Sequence, residues 1–268
     1  MTAQTRTEIK ALLTKHGIVP RSYLGQNFLA DPNVIARVVR TARVEARDLV
    51  LEVGAGTGAL TRALAQAGAD VTAIELDQRL HPILDQQLQG LGVTLLWADA
   101  MEIDYQTLIA SGDWKAVANL PYQVGTPLLL DWLRFVPNLA ELTVMVQLEV
   151  AQRLTAAPGS DAYGLPSVVV GLHATAELAF KVPPQVFYPA PRVDSAVVRL
   201  IRRPASPRAE EAIRIAAAGF GQRRKMLRGS LINALDDPSA ALASAGIDPR
   251  QRAENLSPAD FLRLAEAS

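Results

Sequence analysis

Leu49-Val50-Leu51-Glu52-Val53, followed directly by Gly54-Ala55-Gly56-Thr57-Gly58, is the stretch that decides the fold of this chain. Its first five residues are typical of a buried β-strand, and the glycines allow a tight turn that a Cβ would block. The amphipathic residues at 59–67 predict a helix, which ends at Gly68. A strand, a glycine-rich turn and a helix in this order form the nucleoside- or phosphate-binding unit of Rossmann-like α/β folds.

Two acidic side chains follow the next two predicted strands. The strand at 70–74 leads into Glu75, about 20 residues after the glycine-rich turn, and the strand at 93–97 leads to Asp99. An acid after the first of these strands can accept hydrogen bonds from ribose hydroxyls. Because the carboxyl ends of parallel strands meet at one edge of a sheet, we expect both carboxylates beside the glycine-rich turn.

A fourth strand is predicted to end in Asn119-Leu120-Pro121-Tyr122, and Gly125-Thr126-Pro127 then indicates the start of a helix. The Asn119 side chain and the Leu120 carbonyl can accept hydrogen bonds from a flat amino group, and Tyr122 can stack on the ring that carries it. The tetrapeptide therefore favours a site that holds an exocyclic amine, such as adenine N6, against an electrophile. An ordinary turn is the alternative, because Asn and Pro are common turn residues.

A nicotinamide dehydrogenase is the main competing interpretation, because Gly54, Gly56 and Ala59 satisfy its loop pattern. No second phosphate-handling loop is apparent. The histidines, none of which has a recognisable catalytic context, are His16, His81 and His173. A cofactor without a pyrophosphate, held by Glu75 and Asp99, is therefore favoured, and S-adenosylmethionine fits this description.

Separate segments of the chain resemble the ribosomal RNA adenine dimethyltransferases, specifically the bacterial small-subunit branch of that family. The segments are Leu24-Gly25-Gln26-Asn27-Phe28-Leu29, residues 52–61, residues 119–129, residues 186–196 and, in the helical tail, residues 220–228. They cover nearly the whole chain in the expected order, and the first and fourth are specific to this family. The resemblance implies methyl transfer from S-adenosylmethionine to N6 of two adjacent adenosines near the 3′ end of 16S rRNA, with the small subunit as partner and a role in its assembly.

The resemblance also implies the architecture. We expect an α/β fold, a Rossmann-like class I methyltransferase sheet, with a small all-helical C-terminal domain. The methyltransferase domain is predicted at 1–203, with a helical extension at 1–45, and Pro204, Ser206 and Pro207 mark a linker to an RNA-contacting domain at 204–268.

The site residues likewise follow from the resemblance. The expected cofactor-binding residues are Gln26, Asn27, Leu29, Gly54, Gly56, Glu75, Asp99, Ala100 and Asn119. The expected catalytic residues are Asn119, Leu120, Pro121, Tyr122 and Phe187. Tyr122 and Phe187 are expected to hold an extruded base by stacking, with a core aromatic as the alternative for Phe187.

The net charge of zero is unusual for an RNA enzyme, but a local basic cluster can supply the positive potential. The basic residues of the family-like tail segment are Arg223, Arg224, Lys225 and Arg228. If a helix begins near Gln222, Arg224 and Arg228 lie four residues apart on one face. We expect these residues to contact RNA, and a solvated surface is the alternative.

Composition sets the remaining bounds. The chain has 268 residues, 49% of them apolar, enough for a large core. It has no cysteine, which excludes disulfides and thiolate chemistry, and its scattered histidines give no expectation of a metal. Because no apolar run reaches transmembrane length and no secretory signal is apparent, a cytoplasmic, membrane-free protein is expected. No dimerisation stripe appears, so a monomer is expected.

The rest of the chain predicts further elements. Asp31 is the predicted cap of a helix that runs from Pro32 to Arg43, and Ser257 begins a capping box for a last helix. Residues 142–147, 166–172 and 195–201 are predicted to be buried strands.

Two functional alternatives stay open on the sequence. The first is an N6-adenine methyltransferase that acts on large-subunit rRNA or on DNA, because the Asn-Leu-Pro-Tyr segment recognises only the amine. The second is an assembly factor that mainly binds an immature small subunit, with methylation secondary.

Overall fold

The computed structural model describes residues 4–268. The strands are β1 (Phe28–Leu29), β2 (Leu49–Val53), β3 (Asp70–Glu75), β4 (Thr94–Trp97), β5 (Trp114–Asn119), β6 (Leu139–Gln147), β7 (Ala174–Val182), β8 (Phe187–Tyr188) and β9 (Ser195–Arg202). The helices are α1 (Arg6–Lys15), α2 (Pro32–Thr41), α3 (Ala59–Gln66), α4 (His81–Leu88), α5 (Tyr105–Leu108), α6 (Gly125–Phe135), α7 (Leu148–Leu154), α8 (Leu165–His173), α9 (Ala209–Gly221), α10 (Leu227–Ser230), α11 (Pro238–Ser244) and α12 (Pro258–Glu266).

The main sheet confirms the predicted α/β class. Its strand order is β4-β3-β2-β5-β6-β9-β7, and β1 pairs with β8 in a separate two-stranded sheet. Strand β2 pairs in parallel with β3 on one side and with β5 on the other, so the strand order reverses at this point. Open α/β sheets bind ligands at the carboxyl ends of strands beside such a reversal. The topology therefore places a site where β2, β3 and β5 end.

The decisive stretch forms the predicted strand, turn and helix. β2 is buried from Val50 to Val53, as a strand paired on both sides should be, and α3 packs Leu60 and Leu64 into the same core. The strands predicted after it are β3, β4 and β5, within one or two residues of their expected bounds. Strand β9 is the predicted late strand, and it pairs antiparallel with β6.

The N-terminal segment packs onto this core. Ile9 and Leu13 of α1 belong to the same buried apolar cluster as Val50. Helix α2 begins as predicted, because the Asp31 side chain accepts a hydrogen bond from the Asn33 N–H at 2.8 Å. It ends at Thr41, slightly before the predicted end. Residues 1–3 of the predicted extension lie outside the described residues.

The strand predicted at 166–172 is wrong, because this segment is helix α8. Pro166 stands in the first turn of the helix, where its missing N–H is tolerated. Val168, Val169 and Val170 are all buried, and an apolar run of this length cannot be distinguished from a strand by its pattern. Helix α8 packs closely on its neighbours, since a Cβ at Gly171 would collide with the Pro258 ring.

The chain divides into two compact units. The first runs to Ala151 and resumes over Glu177–Ile201, and the second comprises Gln152–Ala176 and Arg202–Ser268. The predicted boundary at 204 lies close to the start of the last segment, but helix α8 also belongs to the second unit because it packs on α9 and α12. Within residues 4–268, no helix combines the length and the apolar character that crossing a membrane requires.

Candidate cofactor and catalytic site

A cavity of about 290 Å³ opens where the strands of the first unit end. It is lined by every residue that was expected to bind the cofactor: Gln26, Asn27, Leu29, Gly54, Gly56, Glu75, Asp99, Ala100 and Asn119. These residues come from the ends of β2, β3, β4 and β5 and from the segment that leads into and includes β1. The structure thus brings together residues as far apart in the sequence as Gln26 and Asn119, and it does so at the strand-order reversal.

The glycine-rich turn forms one wall of the cavity. Gly54 has φ +81° and Gly56 has φ +59°, a left-handed backbone that glycine adopts without strain. A Cβ on Gly56 would also lie 3.0 Å from the Phe28 ring. The Gly54 N–H donates to the Ile74 carbonyl at 2.8 Å, which fixes the start of the turn against β3.

Glu75 connects the glycine-rich turn to the end of β3. Its Oε2 accepts a hydrogen bond from the Gly56 N–H at 2.8 Å, and its Oε1 accepts from the N–H groups of Leu76 and Asp77 at 2.9 and 2.8 Å. Burial raises the pKa of Glu75, while these backbone donors favour its charged form. The carboxylate therefore holds the turn in place, and its predicted contact with ribose hydroxyls would use its remaining acceptor sites.

Glu52 is a cavity residue that the sequence reasoning did not assign. It lies next to the carboxyl end of β2 and is buried, with 1% of its surface exposed. Its Oε2 has no hydrogen-bond partner among the described residues. Burial, together with the nearby Glu75 carboxyl, raises the pKa of Glu52 to about 8. An acidic residue inside an otherwise apolar strand was the sequence signal that could have identified it.

Asn119 stands at the end of β5 with its side-chain amide fixed. The Asn119 Nδ2 donates to the backbone carbonyl of Asn27 at 3.1 Å, which leaves Oδ1 as the atom available to accept. Pro121 lines the cavity next to it and packs against both Gly25 and Gly54, because a Cβ at either glycine would come within 3.8 Å of the proline ring. The segment before β1 and the glycine-rich turn thus fix the Asn-Leu-Pro-Tyr segment from two sides.

The family model for ribosomal RNA adenine dimethylase matches residues 19–268. The chain belongs to the ribosomal RNA adenine dimethylase family. A ribosomal RNA small subunit methyltransferase A from Phenylobacterium zucineum is 44% identical over 100% of this chain and 94% of its own length. Another, from Chelativorans sp., is 45% identical over 96% of this chain and 96% of its own length.

Solved structures agree with this membership. The structure of the 23S rRNA methyltransferase ErmE is 29% identical, with a TM-score of 0.70, and the match covers 90% of this chain and 99% of that chain. A dimethyladenosine transferase from Plasmodium falciparum shares the fold with a TM-score of 0.77 at 24% identity, covering 88% of this chain and 95% of that one. This dimethylase is therefore an S-adenosylmethionine-dependent enzyme that acts on rRNA adenine, with a class I methyltransferase sheet.

The charge of the cavity fits S-adenosylmethionine. The carboxyl groups of Glu75 and Asp99 line it, together with Glu52, which is protonated at pH 7, and none of the described lining residues is Lys or Arg. S-adenosylmethionine carries a sulfonium and an ammonium group, which carboxylates attract, whereas a dinucleotide would bring a pyrophosphate beside them. The nicotinamide interpretation of the glycine-rich turn is therefore rejected for this dimethylase. Among residues 4–268, no group of three or more His, Asp or Glu is placed to hold a metal ion.

Tyr122 and Phe187, the two aromatic residues expected to stack on the base, differ from each other in exposure. Tyr122 is half-buried, and its hydroxyl forms a hydrogen bond of 2.7 Å with the Ser195 hydroxyl. Burial raises the pKa of Tyr122. Phe187 is fully buried, and in β8 it pairs with Leu29 of β1. Phe187 is therefore a core aromatic in this structure, and its stacking on an extruded base stays a prediction.

The helix considered for the basic residues near 222 does not form. Helix α9 ends at Gly221 and α10 begins only at Leu227, so Arg224 and Arg228 do not share a helix face. Met226 occupies the N-cap position of α10, and the chain turns between α9 and α10. Arg223 is used within the second unit, because its Nε lies 3.1 Å from a Glu254 carboxylate oxygen. Arg223, Arg224, Lys225 and Arg228 are all exposed, and the last three are assigned no hydrogen bond through their side chains among the described contacts.

Proposed function

We propose that this dimethylase transfers methyl groups from S-adenosylmethionine to N6 of two adjacent adenosines near the 3′ end of the 16S rRNA in the small ribosomal subunit. The proposal is supported by the relatives at 44% and 45% identity, which are named small-subunit methyltransferases. The observation that carries the chemistry is the fixed amide of Asn119 at the wall of an acidic cofactor cavity.

Catalysis here is mainly a matter of positioning. When bound, S-adenosylmethionine supplies a sulfonium methyl, which is already an activated electrophile. The obstacle is the nucleophile, because the lone pair of adenine N6 is delocalised into the ring. A site that fixes the amine in a reactive geometry removes much of the entropic barrier to the reaction.

Asn119 and Leu120 would provide the acceptors for the amine. The Asn119 Nδ2 is held by the Asn27 carbonyl, so its Oδ1 is pre-oriented to accept one N6 proton. The Leu120 N–H donates to the Met145 carbonyl at 3.1 Å, which fixes the backbone whose carbonyl would accept the other proton. Two acceptors favour a more pyramidal nitrogen with a localised lone pair.

A strong general base is not required by this chemistry. The N6 proton becomes acidic once the new bond has formed, and it can then pass to an acceptor or to water. The buried Glu52 and Glu75 carboxyls are consequently assigned to the cofactor cavity, and the tetrapeptide alone is assigned to the base.

The RNA contacts complete the proposal. Tyr122 remains the candidate for stacking on the extruded base, which is worth roughly 1–3 kcal/mol per base. Arg224, Lys225 and Arg228 would contact RNA phosphates from the second unit. The proposal includes a role in small-subunit assembly, because immature small subunits are the expected substrate. A cytoplasmic location and a monomeric state are proposed with it.

The test is labelled methyl transfer to small subunits that lack the 3′-end modification, with the product nucleosides resolved and mapped by mass spectrometry. We expect N6,N6-dimethyladenosine at two neighbouring positions. Mature small subunits, which already carry the modification, are the matched control and should accept no label. If the protein binds the cofactor but leaves the unmodified small subunits unlabelled, the proposed substrate is contradicted.

Large-subunit rRNA is the second candidate substrate. It is favoured by the likeness to ErmE, named as a 23S rRNA methyltransferase, over 90% of this chain. The same assay with unmodified large subunits separates the two candidates, and label confined to the large subunit would establish this alternative.

A further inference from the structure

The segment at 19–27 supplies one wall of the cofactor cavity and is joined to the rest of the first unit by few hydrogen bonds. Residues 23–27 all line the cavity, and Tyr23 is 62% exposed. The backbone N–H groups of Leu24, Gly25 and Gln26 donate within the segment, to the carbonyls of Arg21 and Ser22. The position of this wall therefore depends on side-chain contacts.

Those contacts converge on Asp77, just beyond the end of β3. Gln26 Nε2 donates to Asp77 Oδ2 at 2.8 Å, and the Arg21 N–H donates to Gln26 Oε1 at 2.7 Å. Arg79 pairs with the same carboxylate through Nε at 2.8 Å and Nη2 at 2.5 Å. The Arg79 Nη1 also donates to the Val19 carbonyl at 3.3 Å. The described hydrogen bonds that join residues 19–26 to the rest of the unit are thus made by Asp77 and Arg79.

Asp77 is also connected directly to the cofactor cavity. It is buried, with 5% of its surface exposed, and its N–H donates to Glu75 Oε1 at 2.8 Å. Asp77 itself does not line the cavity, and neither does Arg79. A charged hydrogen-bond network at this depth is geometrically specific, because each partner holds the next in one arrangement.

We propose that Asp77 is a positioning residue that, with Arg79 and Gln26, holds the segment at 19–27 closed against bound S-adenosylmethionine. The inference rests on the cofactor site of the proposed function. These three residues, the Asp77 latch, lengthen the time for which the cofactor stays bound. The latch also acts on Asn119, because the Asn27 carbonyl that fixes the Asn119 amide follows directly after Gln26.

The experiment compares D77N, R79A and the double variant as full-length proteins. Cofactor affinity is measured by calorimetry with S-adenosylmethionine, and dissociation by stopped-flow displacement. We expect D77N to bind at least about tenfold more weakly, the scale of a lost charged hydrogen bond. The loss should appear in the dissociation rate, with association little changed, and the double variant should add little to either single variant.

The matched control is D48N. Asp48 forms a partly buried ion pair with Lys115 at 2.7 Å in the same unit and lies outside the cavity lining. D48N should leave cofactor affinity unchanged, and its unfolding midpoint measures the general effect of losing such a pair. R79A retains the buried carboxylate and keeps the test valid if D77N does not fold.

Two outcomes would overturn the inference. One is an unchanged dissociation rate in folded D77N or R79A, and the other is an equal loss of affinity in D48N. Cofactor binding is measured without any RNA. A wild-type protein that binds S-adenosylmethionine but leaves small subunits unlabelled would therefore contradict the proposed substrate and leave the latch measurement intact.

Discussion

The cofactor edge of the main sheet and the basic turn at 222–228 handle charge in opposite ways. At the sheet edge, Glu52 and Glu75 are buried, and Glu75 is bonded to backbone N–H groups. In the turn, Arg224 and Arg228 are exposed. A small cofactor is recognised by groups held in fixed positions, whereas a phosphate backbone is recognised by charge that is free to adapt. We therefore expect large, localised effects from changes at the sheet edge and small, salt-dependent effects from changes in the turn.

The largest effect is expected at Asn119. Asn119→Ala removes the pre-oriented acceptor, and we expect methyl transfer to fall by about 100- to 1,000-fold, the scale of a lost transition-state hydrogen bond. Cofactor affinity should change little by comparison. Single-turnover transfer and calorimetry on the same preparation measure both quantities. Retained turnover would remove the proposed role of the amide.

Glu75→Ala tests the fixed geometry of the sheet edge. It leaves the N–H groups of Gly56 and Asp77 without their acceptor, and it also removes the expected ribose contact. We expect cofactor affinity to fall by about 10- to 100-fold. Calorimetry checks this, with Glu141→Ala as a control, because Glu141 is paired with Arg199 away from the cavity. Unchanged affinity would contradict the assignment of Glu75.

Glu52 makes the stability of the protein depend on pH. Because its folded-state pKa is raised to about 8, the folded state retains a proton that the unfolded chain releases near its ordinary value. The stabilising contribution is complete at low pH and is lost as the pH rises toward 8. We expect about 2 kcal/mol less stability at pH 8 than at pH 6 from this group.

Urea unfolding of the wild type and of Glu52→Gln at these two pH values measures the difference. The glutamine variant keeps the shape and cannot titrate, so its stability should change less with pH. An identical pH response in the two proteins would show that Glu52 does not carry the proton. Burial thus makes it costly for Glu52 to carry a charge, whereas the exposed residues of the basic turn carry their charges without this cost.

The smallest effects are expected in the basic turn. Reversing the charge of Arg224 and Arg228 should weaken RNA binding by a few-fold and reduce its salt dependence by about 0.7–0.9 per lost phosphate contact. Arg214→Glu in α9 is the control, because Arg214 is paired with Glu211. Binding isotherms at several salt concentrations give the slope. An unchanged slope would support the solvated-surface interpretation.

Local patterns predicted the strand ends and the residues that line the cavity. Strand β2, its glycine-rich turn and the acids after β3 and β4 follow from residues close together in the sequence, and parallel topology brings their ends to one edge. Pattern reasoning failed where burial is uniform, as in α8, whose valines read equally well as a strand. It also failed at Gln222, where α9 stops because the chain turns before α10.

Contacts between distant residues were beyond the sequence. The burial of Phe187 depends on the pairing of β8 with β1, which are separated by more than half of the chain. The roles of Glu52 and Asp77 likewise depend on what surrounds them in three dimensions. A carboxyl in a strand and a carboxyl in a turn look alike in sequence. Only packing shows that Glu52 Oε2 lacks a hydrogen-bond partner while the Asp77 carboxylate has several.

The exposed ring of Tyr23 makes the cofactor-covering segment open to spectroscopy. The chain contains no cysteine, and Tyr23 is 62% exposed on the segment at 19–27. A Tyr23→Cys variant would therefore carry a single thiol, which accepts a fluorophore or a spin label without any background substitution. The label would report the motion of the cavity wall in real time, so that its opening could be timed against the departure of each spent cofactor.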